Sequence, residues 1–142
     1  MCGQAPDMRR IAMVGLTAAV ASCAAPAPYQ PSPRTQQQLN LLLTGKVAGK
    51  PMSCLPSYNA NDMQVIDGRN VAFKLGSRTV YLMHLSAGCD LLGNGGYALV
   101  TKQFGGLGLC QGDIARVFDT TSRFTVGSCG IESITPYTTP GR

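Results

Sequence analysis

The chain predicts a mainly β protein, a small antiparallel, partly open barrel or sandwich of five to seven short strands, disulfide-braced and with one short N-terminal helix. Three observations carry that expectation. Cys54, Cys89, Cys110 and Cys129 are spread over a single stretch, with no Cys-x-x-Cys spacing. That stretch also holds nearly all of the period-two alternation that marks half-buried strands. Gly and Pro interrupt it at short intervals, as turns between short strands require.

A length of 142 residues allows one domain. A β core of roughly 75–90 residues buries proportionally little surface, so cross-links become useful at that size. Six cysteines beside a single histidine, His84, argue against zinc, haem and thioredoxin-like chemistry and for an oxidising compartment. No cofactor or metal is expected.

At the N-terminus, Met8-Arg9-Arg10 and the apolar run Ile11 to Val20 read as the basic and hydrophobic regions of an export signal. The run is too short for a bilayer span, which needs about 20 apolar residues. Met1 to Asp7 lie ahead of a complete signal, so Met8 is an alternative start. Val20-Ala21-Ser22-Cys23 follows. It resembles the lipobox of bacterial lipoproteins, which implies residues 1–22 as a signal peptide and Cys23 as the lipidated (diacylglycerol, palmitate) first residue of the mature chain. Ordinary cleavage near Ala19 to Ala21, or after Ala27, would leave Cys23 as an odd thiol beside four other exported cysteines. Ala24 lacks the aspartate that, by the same resemblance, retains Gram-negative lipoproteins at the inner membrane. The implied location is therefore the periplasmic face of the outer membrane, or the periplasm if the chain is not lipidated.

Residues 23–33 are rich in Ala and Pro and read as an extended tether. Ser32-Pro33 is an N-cap followed by a first-turn proline. Leu39, Leu42 and Leu43 then share one face, so a helix is expected over 34–44, with Gly45 closing the segment 34–45. Its leucines are expected to lie on the β domain, residues 46–136. Lys46 to Pro51 reads as a loop.

Strands are expected at Asp62–Ile66, then after the Asp67-Gly68 turn at Val71–Leu75, and after Gly76-Ser77 at Thr79–Leu85. Those three form a meander. Further strands are expected at Tyr97–Phe104, Asp113–Asp119, Phe124–Val126 and Ile131–Ile134, with the chain fraying from Pro136 and a flexible tail at 137–142. Four cysteines permit three pairings. Cys89 with Cys110 and Cys54 with Cys129 is the preferred set, because it staples both a local hairpin and the closure of the sheet.

With these features in place, residues 52–135 resemble an uncharacterised family of small proteobacterial exported proteins, a domain of unknown function. The resemblance rests on Cys54-Leu55-Pro56, the Gly76 to Leu85 stretch before Cys89, Leu109-Cys110-Gln111-Gly112-Asp113, and Ser128-Cys129-Gly130 before Ile131 to Ile134. It implies a signal-peptide or lipoprotein precursor and brings no activity with it.

The formal charge of +5 falls to about +4 once Arg9, Arg10 and Asp7 leave with the signal. The remaining basic residues are scattered from Arg34 to Arg142, which argues against nucleic acid as a partner. No catalytic residue is expected. Neither Gly93-Asn94-Gly95-Gly96 nor Gly105-Gly106-Leu107-Gly108 is followed by the Lys-Ser/Thr of a phosphate loop. Asp113 and Arg116 form either a polar pair ordering the loop after Cys110 or, with Tyr97 and Asp90, a small ligand cleft. The leading expectation is a non-enzymatic binding or structural protein of the cell envelope. Its partners would be the membrane, through the lipid anchor, and an envelope protein or cell-wall component. A small envelope hydrolase is the enzymatic rival; it requires His84 beside Ser77 or Ser86 and an acid such as Asp113 or Asp90. An inhibitor or adhesin would show an exposed apolar patch.

Overall fold

Alternating apolar residues build the sheet, and one long strand organises it. The computed structural model describes residues 28–56, 62–102 and 108–141. Its elements are helix α1 (Pro33–Leu43) and strands β1 (Val47–Ala48), β2 (Met63–Val65), β3 (Asn70–Leu75), β4 (Thr79–Leu85), β5 (Tyr97–Thr101), β6 (Ile114–Asp119) and β7 (Thr125–Thr138). The seven strands form one antiparallel sheet in the order β2-β3-β4-β7-β6-β5, with β1 also on β7. This sheet curls into a half-barrel, the partly open barrel that the pattern predicts.

The expected meander is present. β2 pairs with β3 from Met63↔Phe73 to Val65↔Val71, and β3 pairs with β4 from Asn70↔His84 to Leu75↔Thr79. Period two sends Val71, Phe73, Tyr81, Met83 and Leu85 to the concave face, where Leu55, Leu92, Leu109, Val117, Ile131 and Ile134 complete the core. Full burial of each such side chain contributes about 1.5–3 kcal/mol, opposed by the entropy of ordering it.

The opposite parity, Ala72, Val80 and Leu82, faces outward and is covered by Leu39, Leu42 and Leu43 of α1 together with Tyr137. The helix begins where expected. Ser32 is extended, its Oγ accepts a hydrogen bond from Thr35 N at 3.1 Å, and Pro33 takes the first helical position. Gly45, at φ +70°, follows the Thr44 C-cap in the left-handed conformation that ends many helices.

Four expectations need correction. Lys46 to Pro51 is not wholly a loop: Val47 and Ala48 pair with Thr138 and Tyr137, and Met52 bridges Ile134. The two short strands expected around Cys129 are one continuous 14-residue strand, β7. The chain does not fray at Pro136 but stays in β7 to Thr138. Pro136 is tolerated because its carbonyl, accepting from Gly49 N at 2.7 Å, faces short β1, so its missing donor falls on that flank and not on the β4 ladder.

The fourth correction is the disulfide set. Cys54 bonds Cys110 and Cys89 bonds Cys129. β7 runs through the middle of the sheet, so Cys129 lies beside the chain leaving β4 and not near Cys54. The Cys54 segment instead runs along Cys110, with Leu55 N donating to Leu109 O and Gln111 N to Ser53 O. Such flanking bonds define a non-hydrogen-bonded antiparallel pair, where Cα atoms approach most closely. Strand β5 ends at Thr101; positions 103 and 104 of the expected strand lie outside the described residues.

Candidate functional site

The strongest polar organisation is built where α1 begins and the β2–β3 loop turns. Asp67, read from sequence only as a turn residue, accepts from Arg69 N and Asn70 N at 2.8 Å through Oδ1. The side-chain amide of Asn70 donates to both carboxylate oxygens, at 3.0 and 3.2 Å. The Tyr29 hydroxyl donates to Oδ2, and Asn70 Nδ2 donates to the Tyr29 oxygen at 3.1 Å. The Arg69 guanidinium lies 5.5 Å from the centre of the Tyr29 ring, a cation–π contact. Arg69 also donates to Leu85 O at 3.3 Å and stands 4.0 Å from Asp90.

These contacts set the protonation states. Burial would raise the Asp67 carboxyl, but hydrogen bonds from Tyr29, Arg69 N, Asn70 and Thr35 outweigh it and hold the group below its ordinary value. Burial, followed by the bond to and charge of Asp67, pushes the Tyr29 phenol up to about 12. Asn70 is 1 % exposed, and among the described residues its Oδ1 accepts no hydrogen bond and Arg69 Nε donates none. Next to the cluster is a cleft of about 270 Å³ whose lining includes Ser32, Arg34, Thr35, Asp67, Asp90 and Asn94.

Tyr29 therefore straps the segment ahead of α1 onto the sheet. Stabilisation from a neutral phenol whose pKa is raised is complete below the ordinary value of 10.0 and is lost as pH rises through about 12. We expect Tyr29→Phe to cost about 1 kcal/mol near neutral pH, discounted because the ring is 42 % exposed and solvent screens its partners. The variant should also lack one late-titrating phenol in an absorbance titration. Loss of a phenol titrating at the ordinary value of 10.0 instead would show that the strap is not closed in solution. Asp67 acts at the other end of the scale: its stabilisation holds above the ordinary carboxylate value of 3.8 and disappears as pH falls through the lower folded one.

The four residues considered for a ligand cleft are not brought together. Asp90 is exposed beside Arg69. Tyr97 opens β5 opposite Asp119 and lies against the core. Arg116 points outward from β6 between Val100 and Ser128. Asp113 orders the loop after the bridge without Arg116: its Oδ2 accepts from Cys110 N at 2.8 Å and its carbonyl from Ile131 N at 3.0 Å. Among the described residues no ion pair joins Asp113 to Arg116.

His84 is half-buried in β4 between Asn70 and Ser133, and burial lowers its pKa despite the opposing charges of Glu132 and Asp67. The Ser86 hydroxyl is used as an acceptor for Gly130 N at 2.8 Å. Among the described residues no hydrogen bond links His84 to Ser77, Ser86, Asp90 or Asp113, the contact that the hydrolase reading requires. Cys23 lies outside the described residues.

Tyr29, Thr35, Arg69 and Asn70 went unnoticed in the sequence. The available signal was a lone aromatic in an Ala/Pro-rich segment, where a free tether has no use for one. Among the described residues no group of three or more His, Cys, Asp or Glu side chains is placed to hold a metal, and no helix is long and apolar enough to cross a membrane. Comparisons with family models, curated proteins and solved structures found no match to this chain.

Proposed function

We propose that this chain is an exported, non-enzymatic binding or structural module of a bacterial cell envelope, held at a membrane by lipid on Cys23. The observation that carries the reading is the pair of disulfides, which join segments 56 and 40 residues apart. Bridges of that kind persist in oxidising compartments and are rare in a reducing cytosol. The basic and apolar N-terminal pattern ending at Cys23 supports the same destination, and the resemblance to small exported proteins belongs to this reading.

The strap adds a spatial consequence. Cys23 precedes Tyr29 by six residues, a length that spans at most about 20 Å. With Tyr29 docked, the β2–β3 loop would be held near the membrane surface, and the domain would not roam on its tether.

Intact mass of the membrane-extracted protein, with thiol alkylation before and after reduction, tests the proposal. The expected result is a lipid increment that Cys23→Ser abolishes, and four thiols that react only after reduction. A soluble product with unmodified Cys23 would remove the anchor, and four thiols reactive without reductant would remove the oxidising compartment.

A further inference from the structure

α1 covers only part of the outer sheet face. Between the helix and the β3–β4 hairpin runs a groove of about 380 Å³, with Gln38, Leu41 and Lys46 on one wall and Gln64, Lys74 and Ser77 on the other. Val80, 3 % exposed, and the half-buried Leu42 give it an apolar floor. Among the described residues, both charged side chains in the lining are lysines and no carboxylate lines it. Neither lysine is in an ion pair, since the ion pair among the described residues joins Arg69 and Asp90. Asp62, which the β2–β3 register carries towards Lys74, is exposed and contacts neither amine closely enough to pair. The side chains of Gln38, Gln64 and Ser77 make no hydrogen bond among the described residues, so donors and acceptors for a peptide backbone line both walls.

We propose that this groove binds an extended acidic peptide segment of a partner protein, with an apolar side chain on Leu42 and Val80 and flanking carboxylates on Lys46 and Lys74. This deepens the binding-module reading and rests on it. Charge complementarity selects an acidic occupant: two amines without a carboxylate repel a basic one and attract its opposite. Shape selects a peptide. Leu41 remains 74 % exposed on the rim, so the groove is shallow, whereas small-molecule sites enclose most of their ligand. An extended segment can lie along such a surface and use the Gln and Ser side chains for its main chain.

The test is fluorescence anisotropy on the full, oxidised Cys23→Ser chain, with three labelled peptides sharing one frame and carrying Glu-Leu-Glu, Gln-Leu-Gln or Lys-Leu-Lys at the centre. The acidic peptide should bind tightest, and raised salt should weaken it. The charge reversal K46E/K74E should weaken the acidic peptide by about tenfold or more and strengthen the basic one, a rescue that a merely damaged fold cannot give. Leu41→Ser should weaken the acidic peptide with no change in charge preference. The proposal is overturned by no binding of the acidic peptide at millimolar concentration, or by equal binding to K46E/K74E. Lysine-dependent binding to anionic lipid vesicles without peptide binding would also overturn it, in favour of a membrane surface. None of these outcomes depends on Cys23 modification, so the anchoring proposal stands or falls separately on its mass measurement.

Discussion

Replacing Cys89 and Cys129 together by alanine is expected to lower the unfolding free energy by about 4 kcal/mol, with a further contribution from lost packing. The chain between them is 40 residues, and the entropy of leaving a loop of that length open in the unfolded state gives this magnitude. For the Cys54–Cys110 bridge, which closes 56 residues, the logarithmic dependence gives nearly the same value. Burial separates the two. Cys89 and Cys129 are 0 % and 5 % exposed within the concave core, while Cys54 and Cys110 are half-buried at its edge. Removing the inner sulfurs therefore leaves a cavity as well as a longer loop. Urea unfolding of C89A/C129A and C54A/C110A checks the order: the inner pair should cost more. Equal losses would place the whole effect in the unfolded chain. Against a total stability of about 5–15 kcal/mol, either loss is a large share.

The second large effect is expected a few residues from the first. Gly88→Ala should destabilise the domain by roughly 3–5 kcal/mol, in the range of severe core changes. Gly88 sits at φ +110°, and a Cβ there would lie 2.2 Å from the carbonyl oxygen of Ser128. In return, a Cβ on Gly127 would lie 2.4 Å from the carbonyl oxygen of Gly88. Two backbones touch here without side chains between them. Ser86 secures the crossing: its N donates to Gly130 O at 2.9 Å, and its hydroxyl accepts from Gly130 N. Since the obstacle is backbone, relief requires the chain after β4 to move off β7. Gly76→Ala is the control. It also has positive φ, +64°, but its Cβ would meet open space, so only the conformational cost of about 1–2 kcal/mol is expected. Equal thermal shifts for the two variants would refute the crossing as the cause.

Much of the local structure was legible because local rules govern it. Ser32-Pro33 announces a helix start whatever the surrounding fold, and Val71, Phe73, Tyr81, Met83 and Leu85 announce strands because period two is a property of the backbone. The leucines of α1 marked a face needing cover, and the sheet supplied it. The polar cluster was harder to see. Tyr29 and Asp67 are 38 residues apart, and nothing in either neighbourhood reports that a turn carboxylate will accept a bond from a tyrosine ahead of the helix. Asp113 and Arg116 illustrate the reverse error. Their closeness in sequence suggested a pair, but Asp113 precedes β6 and its carboxylate accepts from Cys110 N, while Arg116 points outward from the strand.

Alternation, capping residues and turn residues thus determined the class, the helix, the meander and the need for cross-links without any tertiary information. Only the tertiary structure decided which cysteines pair, because pairing depends on the sheet position of β7. As two short strands, the Cys129 region would have closed an edge against Cys54. As one continuous strand between β4 and β6, with β1 along its second half, it carries Cys129 to Cys89 and leaves Cys54 to Cys110. Strand order is set by the packing of all the strands around one core, a sum over the whole chain that no single stretch contains.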